Sequence, residues 1–119
     1  MDITKAIKEM KKEPEFSENV GMVLVHNGVV RGWSRQDHKP VINIDVAVDE
    51  NKVETLRQEY SQKPGIYKIL IECYAGKLIP GDDLLFIVVA GDIRENVKPV
   101  LSELLDQIKA EAVTKTEII

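Results

Sequence analysis

The sequence predicts an α+β domain in which an antiparallel or mixed four-stranded sheet has helices packed mainly on one face. Three segments have apolar residues at helical spacing, and four segments are rich in β-formers. Their order is α-β-β-α-β-β-α, and this alternation indicates two layers of structure around one core. The 119 residues suit a single domain, in which residues 1–19 form an N-terminal helix and linker and residues 20–119 form the core.

The first half of the chain contains a short helix, two strands and a loop. Residues 2–12 are amphipathic, and Pro14 ends the helix that they form. Residues 20–26 form a β-rich run, which a long loop over residues 27–40 separates from the next strand. Residues 41–48 alternate between apolar and polar side chains, which predicts a strand with one wetter face.

The second half of the chain contains a helix, two strands and a final helix. Asp49 is the predicted N-cap of a helix that continues to about Gln62. Residues 68–75 and 83–90 form the next two strands, and the second is apolar on both faces, as is typical of a central strand. The last helix has the strongest periodicity in the chain, on Val97, Leu101, Leu104, Leu105, Ile108 and Ala112.

The start of the last helix is less regular than its body. Asp92 and Glu95 resemble a capping box in which an acid replaces Ser or Thr. A proline inside a helix removes a hydrogen bond. We therefore predict that the regular helix starts near Asn96, so that Pro99 lies in its first turn.

A turn-rich segment over residues 75–83 precedes the apolar central strand. Gly76 and Gly81 can adopt the positive φ angles of tight turns, and Pro80 fixes φ at a turn position. The segment therefore predicts a strand, a tight turn and a buried strand, which together form a β-hairpin.

Composition excludes several classes of function. The net charge of −4 disfavours a nucleic-acid partner, and no apolar run approaches the ~20 residues that would cross a membrane. The first residues lack the pattern of a secretory signal, and the single cysteine, Cys73, fits a reducing cytoplasm. Two histidines and one cysteine do not make a metal-ligand cluster, so we expect no metal. The sequence contains neither a P-loop nor a dinucleotide-binding motif, and we expect no other cofactor.

The loop after the first strand carries the first candidate site. Arg31 and Arg35 lie beside two glycines, and such a loop can hold a phosphate or a carboxylate because arginine offers a planar fork of donors. The alternative is a solvated loop with scattered cations. Trp33 in the same loop can stack on a ligand, seal a subunit interface or fold back on its own core.

The last helix carries the second candidate site. Lys109 falls at the margin of the apolar stripe, where burial would lower its pKa toward a nucleophilic or acid–base role. The alternative is a boundary lysine whose head group reaches solvent. Lys115 can join Lys109 only if the helix ends near Ala112, which the β-branched residues that follow favour. Cys73 is in phase with a strand pattern and is interpreted as an inert core residue.

Four motifs, in their order and spacing, resemble the large (catalytic) subunit of molybdopterin synthase, the MoaE-type family, over residues 20–117. Residues 28–31 match its Gly-x-Val-Arg motif, and residues 76–82 match its Gly-x-Leu-x-Pro-Gly-Asp hairpin. Arg94 matches the arginine ahead of the final helix. Lys109 lies fifteen residues later, at the position of the family's catalytic lysine.

This resemblance implies a hammerhead-like α+β fold and a role in molybdenum cofactor biosynthesis. In the family, a ubiquitin-like small subunit ending in Gly-Gly carries a C-terminal thiocarboxylate, whose sulfur is transferred to cyclic pyranopterin monophosphate by a homodimeric large subunit. By the same resemblance Lys109 and Lys115 are catalytic, while Arg31 and Arg94 hold anionic groups of the substrate. Arg35 is added from the anion-binding loop.

Two departures from the family motifs keep alternatives open. Positions at which the family has histidines hold Cys73 and Ile93 in this chain. The loss of these proton carriers favours an inactive dimeric module that binds a pterin phosphate or a small-subunit tail without chemistry. An unrelated α+β domain with a chance match to the hairpin is the third interpretation.

Overall fold

The computed structural model describes residues 1–118, so Ile119, the last residue of the predicted domain, lies outside the described residues. It confirms the α+β class. The helices are α1 (Ile3–Lys11), α2 (Phe16–Asn19), α3 (Glu50–Ser61) and α4 (Arg94–Glu111). The strands are β1 (Met22–Val29), β2 (Asn43–Val48), β3 (Ile66–Cys73), β4 (Gly76–Leu78), β5 (Asp83–Gly91) and β6 (Val113–Ile118).

The strands form two antiparallel three-stranded sheets, whereas the sequence predicted one sheet of four strands. The first sheet has the order β1-β5-β3 and the second has the order β4-β2-β6. The prediction missed β6, which the β-branched run after α4 forms by pairing with β2. It also placed β2 beside the other strands, because strand pairing depends on contacts distant in sequence.

The predicted hairpin differs in its pairing. Gly76 and Gly81 have the positive φ angles that were predicted, 106° and 95°. However, β3 pairs directly with β5, with Cys73 opposite Leu85, while β4 pairs with β2. The segment between β3 and β5 therefore reaches across to the second sheet and returns, and in doing so joins the two sheets.

Both faces of the first sheet are covered by helices. On one face, Ile87 and Val89 of β5 belong to the same core as Leu104 and Ile108 of α4. On the other face, Met10 of α1 packs in a cluster with Val88 and Ala90. The two long helices therefore share one face as predicted, and α1 covers the second face. An apolar central strand requires this, because either face left open would expose hydrophobic side chains to water.

The start of α4 corrects the sequence prediction. The helix begins at Arg94, and its N-cap, Ile93, provides no side-chain hydrogen bond. Instead of a capping box, Asp92 accepts hydrogen bonds from its neighbour's backbone N–H at 2.6 Å and from the Asn96 amide at 2.9 Å. Pro99 is inside the helix. It is exposed to solvent, where water can satisfy the carbonyl that loses its partner.

Glu13 fastens the segment between α1 and α2 to the first sheet. Its carboxylate accepts a hydrogen bond from the Tyr67 hydroxyl at 2.6 Å and forms an ion pair with Lys68. The hydrogen bond from Lys68, then the one from Tyr67, lowers the pKa of Glu13 below its ordinary value of 4.5. The same contact raises the pKa of Tyr67 to about 12.

This contact makes stability depend on pH. Because the folded-state pKa of Glu13 is depressed, its contribution is fully present above pH 4.5 and is lost as the pH falls through the folded value. Glu13→Gln should therefore flatten the acid side of the stability profile, measured by urea unfolding at a series of pH values. Glu9→Gln, at an exposed α1 position, is the control. Equal flattening in both variants would contradict the assignment.

Candidate functional site

A cavity of about 220 Å³ opens where the two sheets meet the C-terminal end of α4. It takes residues from β1, the loop after it, β2, β5, α4 and β6. The lining residues are His26, Gly28, Val29, Val30, Arg31, Ile44, Leu84, Lys109, Lys115 and Glu117. Side chains distant in sequence thus converge on one concave site, which is where ligand-binding sites usually lie.

Strand β6 brings two charged side chains to the cavity. Lys115 is opposite Val46 and Glu117 is opposite Ile44 in the pairing with β2. Residues directly opposite each other on paired strands share a face of the sheet. Because Ile44 and Val46 are buried, Lys115 and Glu117 lie on the inward face of the second sheet.

The end of α4 brings Lys109 to the same place. The helix ends at Glu111, with Ala112 as its C-cap, and β6 begins directly afterwards. This is the arrangement under which the sequence allowed Lys115 to join Lys109. A cation in the last helical turn is also stabilised by the helix dipole.

Arg31 enters the cavity from the loop after β1 and is held by an aromatic neighbour. Its guanidinium carbon lies 5.1 Å from the centroid of the Trp33 ring, a cation–π contact. Trp33 in turn stacks on His38, with 4.7 Å between ring centroids, and is 42% exposed. Of the three roles considered for Trp33, packing onto its own core is therefore wrong, and the ring instead supports Arg31 at the edge of the site.

The cavity has an excess of positive charge. Arg31, Lys109 and Lys115 face one carboxylate, Glu117, which the Ser34 hydroxyl approaches at 3.5 Å. Although Lys115 keeps part of its surface in solvent, partial burial lowers its pKa from 10.5, and the charges of Lys109 and then Arg31 lower it further. Glu117 acts in the opposite direction. The site is therefore suited to an anion and contains an amine that loses its proton more readily than a free lysine.

The sequence analysis missed His26 as a site residue. It lies on β1 in the same alternating phase as Gly28, and both line the cavity. Within the described chain its Nε2 atom is buried without a hydrogen-bond partner. Burial, followed by the charge of Lys109, lowers the pKa of His26 below 6.5. The signal was available, because a period of two places position 26 on the face of the glycine in the Gly-x-Val-Arg motif.

Arg94 and Arg35 do not line the cavity. Arg94 is at the first turn of α4, so about 22 Å of helix separates it from Lys109 at ~1.5 Å per residue. Its side chain is 78% exposed, and its substrate-binding role remains a prediction that requires the predicted second copy of the chain. Arg35 is exposed, yet its charge also lowers the pKa of Lys115.

The sequence interpreted Cys73 as an inert core residue, and the structure places it at the partly buried edge of the core. The side chain is half-buried, and this burial raises the pKa of its thiol to about 11, with Glu50 and Glu72 adding to the effect. Among residues 1–118 there is no group of three or more His, Cys, Asp or Glu side chains arranged to hold a metal ion. None of the helices in that range has the length and apolar character needed to span a membrane.

Comparisons with known proteins agree on one family. The model of the family described as MoaE protein matches residues 1–111. A probable molybdopterin synthase of Haloferax volcanii is 22% identical over 107 residues, which are 87% of this chain and 41% of that relative. The chain thus spans about two fifths of that relative's length.

Solved structures show the same fold at low identity. Molybdopterin synthase from Staphylococcus aureus superposes with a TM-score of 0.78 at 20% identity, covering 99% of this chain and 85% of that one. A complex of subunits 1 and 2 of molybdopterin-converting factor from Helicobacter pylori gives 0.72 at 18% identity, covering 100% and 80%. Because the family model matches residues 1–111 of the chain's 119 residues, the chain belongs to the MoaE protein family.

Proposed function

We propose that the protein is the large subunit of a molybdopterin synthase, which transfers sulfur from the C-terminal thiocarboxylate of a ubiquitin-like small subunit to cyclic pyranopterin monophosphate. Membership of the MoaE family supports this role. The observation that carries the proposal is the meeting of Arg31, Lys109 and Lys115, from three separate elements, in one cavity. Both proposed reactants are anions, and the charge of the cavity suits them.

The three cations can have different roles in such a transfer. Arg31 is held by Trp33 and offers a planar fork of donors to a phosphate or a carboxylate. Lys109 stabilises the negative charge that is displaced from the thiocarboxylate toward the substrate during the transfer. Lys115, whose pKa is lowered, holds its proton less firmly and is suited to proton transfer.

The partners belong to the same proposal. The Helicobacter pylori neighbour is described as a complex of two subunits, which supports docking of a small subunit on this fold. We assign the substrate-binding role of Arg94 to a homodimer in which a second copy brings that arginine to the cavity. The single cysteine, with its protonated thiol, fits a cytoplasmic location.

A single-turnover conversion assay tests this function. Purified protein is mixed with cyclic pyranopterin monophosphate and thiocarboxylated small subunit, and the dithiolene product is measured after oxidation to its fluorescent derivative. We expect product with the thiocarboxylate and none with a small subunit that ends in an ordinary carboxylate. Absence of product with both reactants bound would contradict the proposal.

One observation favours a second candidate, an inactive module that binds the same ligands. The family positions for histidine hold Ile93, which is 53% exposed, and Cys73, whose thiol stays protonated near neutral pH. Neither side chain can carry a proton in the manner of histidine. Binding of both reactants without conversion would support this candidate.

A further inference from the structure

His26 has no part in the function proposed above, although it lines the same cavity as the three cations. Its Nε2 atom is buried and finds no hydrogen-bond partner in the described chain. A buried polar atom without a hydrogen-bond partner lowers the stability of a protein. Natural proteins tolerate such atoms mainly where a ligand or water supplies the missing hydrogen bond. The position of this atom therefore points to a ligand.

Burial and the neighbouring charges determine the protonation state of His26 in the empty cavity. Lys109 faces it from α4, Arg31 from the loop after β1, and Lys115 and Glu117 from β6. Burial of the ring, followed by the charge of Lys109, disfavours a positive charge on His26. The uncharged lining from β2 and β5 is Ile44 and Leu84.

A bound anion would reverse this balance. An anion held by Arg31 and Lys109 would place negative charge beside the imidazole and offset the charge of Lys109, which opposes protonation of the ring. An opposite charge within about 4–6 Å of a group that ionises to a cation raises its pKa by about one to three units. Gly28 borders this space, because a Cβ there would lie 3.4 Å from Nε2 of His26, in van der Waals contact with it.

We propose that His26 is a proton-coupled member of the anion site: it is neutral in the empty cavity and takes up a proton when an anion binds. The charged ring then becomes an additional cation around the ligand and donates a hydrogen bond to it from the buried Nε2. This inference rests on the anion-binding role that the proposed function gives to the cavity. Substrate binding would then be coupled to uptake of one proton by His26.

Sulfate is a suitable probe, because it remains a dianion across the neutral range and does not titrate itself. The chain has two histidines, so the imidazole Cε1–H region of a carbon–proton correlation spectrum contains two signals, which His38→Asn assigns. Asparagine suits that position, where φ is 59°. We expect sulfate to move the His26 signal toward its imidazolium position at neutral pH, with no comparable change at His38.

Calorimetry in buffers of different ionisation enthalpy then measures how many protons the protein takes up when sulfate binds. We expect sulfate affinity to rise as the pH falls, by up to about tenfold per unit where one proton is taken up. His26→Gln should abolish this proton uptake. Lys115→Arg should retain it, because arginine stays positively charged over the whole pH range. The spectra of the wild-type protein test the proposal even where His26→Gln does not fold.

Three results would overturn the proposal. They are failure of sulfate to bind, binding that leaves the His26 ring neutral, and proton uptake that persists in His26→Gln or disappears in Lys115→Arg. None of these measurements involves the sulfur donor. A wild-type protein that converts substrate but binds sulfate without proton uptake would therefore contradict this inference while leaving the proposed function intact.

Discussion

Lys109→Ala is expected to abolish most of the sulfur transfer, with a loss of about 100- to 1,000-fold, the range found when one group that stabilises developing negative charge is removed. Lys109 is the cation that α4 delivers to the cavity, and its charge acts on both His26 and Lys115. The measurement is the single-turnover conversion of cyclic pyranopterin monophosphate. Because Lys109 is largely exposed, the variant should remain folded by circular dichroism.

Two further variants make this result specific. Lys98→Ala changes an exposed lysine on the same helix but outside the cavity, and it should convert substrate at the wild-type rate. Lys109→Arg keeps the positive charge but cannot provide a neutral amine. Activity retained in Lys109→Arg would assign Lys109 an electrostatic role, whereas undiminished turnover in Lys109→Ala would show that it has no catalytic role.

Leu104→Ala is expected to lower the free energy of unfolding by about 2–5 kcal/mol, the range for removing a buried leucine side chain. Leu104 is 0% exposed and belongs to the core that α4 shares with the first sheet. Its loss leaves a cavity beneath the helix that carries Lys109. Urea unfolding with linear extrapolation measures the effect.

Leu105→Ala is the matched control, since it makes the same chemical change at the next position of α4. Leu105 is only partly buried at the edge of the core, so its replacement should cost clearly less. Equal losses in the two variants would contradict the packing described for α4. The difference between the variants isolates burial, because both carry the same change in helix propensity.

Local patterns were sufficient to predict most elements of the fold. The Asp49 side chain accepts a hydrogen bond from the Lys52 backbone N–H at 3.0 Å, as expected of the predicted N-cap of α3. The apolar run of β5 was correctly identified as a central strand. The strands β4 and β6 were missed because each forms by pairing with the distant strand β2. The start of α4 was misplaced because Pro99 was expected in the first turn, whereas the helix accommodates it further inside.

The candidate site was only partly predicted, because the meeting of its residues depends on contacts between distant segments. Arg31, Lys109 and Lys115 were selected from residue type and motif spacing, and the three line one cavity. His26 was missed because the period-two pattern that places it on the same face as Gly28 was not applied, and the cations around it come from segments distant in sequence. Arg94 matches an arginine of the family motif, but the length of α4 separates it from Lys109 within one chain.

The sequence by itself determined the class of fold, the central strand, the long helices and the identity of the cations, because these follow from periodicity, turn chemistry and residue type. Only the tertiary structure decided that the strands divide into two sheets and that β6 returns along β2. This return brings Lys115 and Glu117 to the residues that β1 and α4 supply. The pKa of Lys115 and that of His26 are likewise tertiary properties, since burial and through-space charge depend on which segments meet.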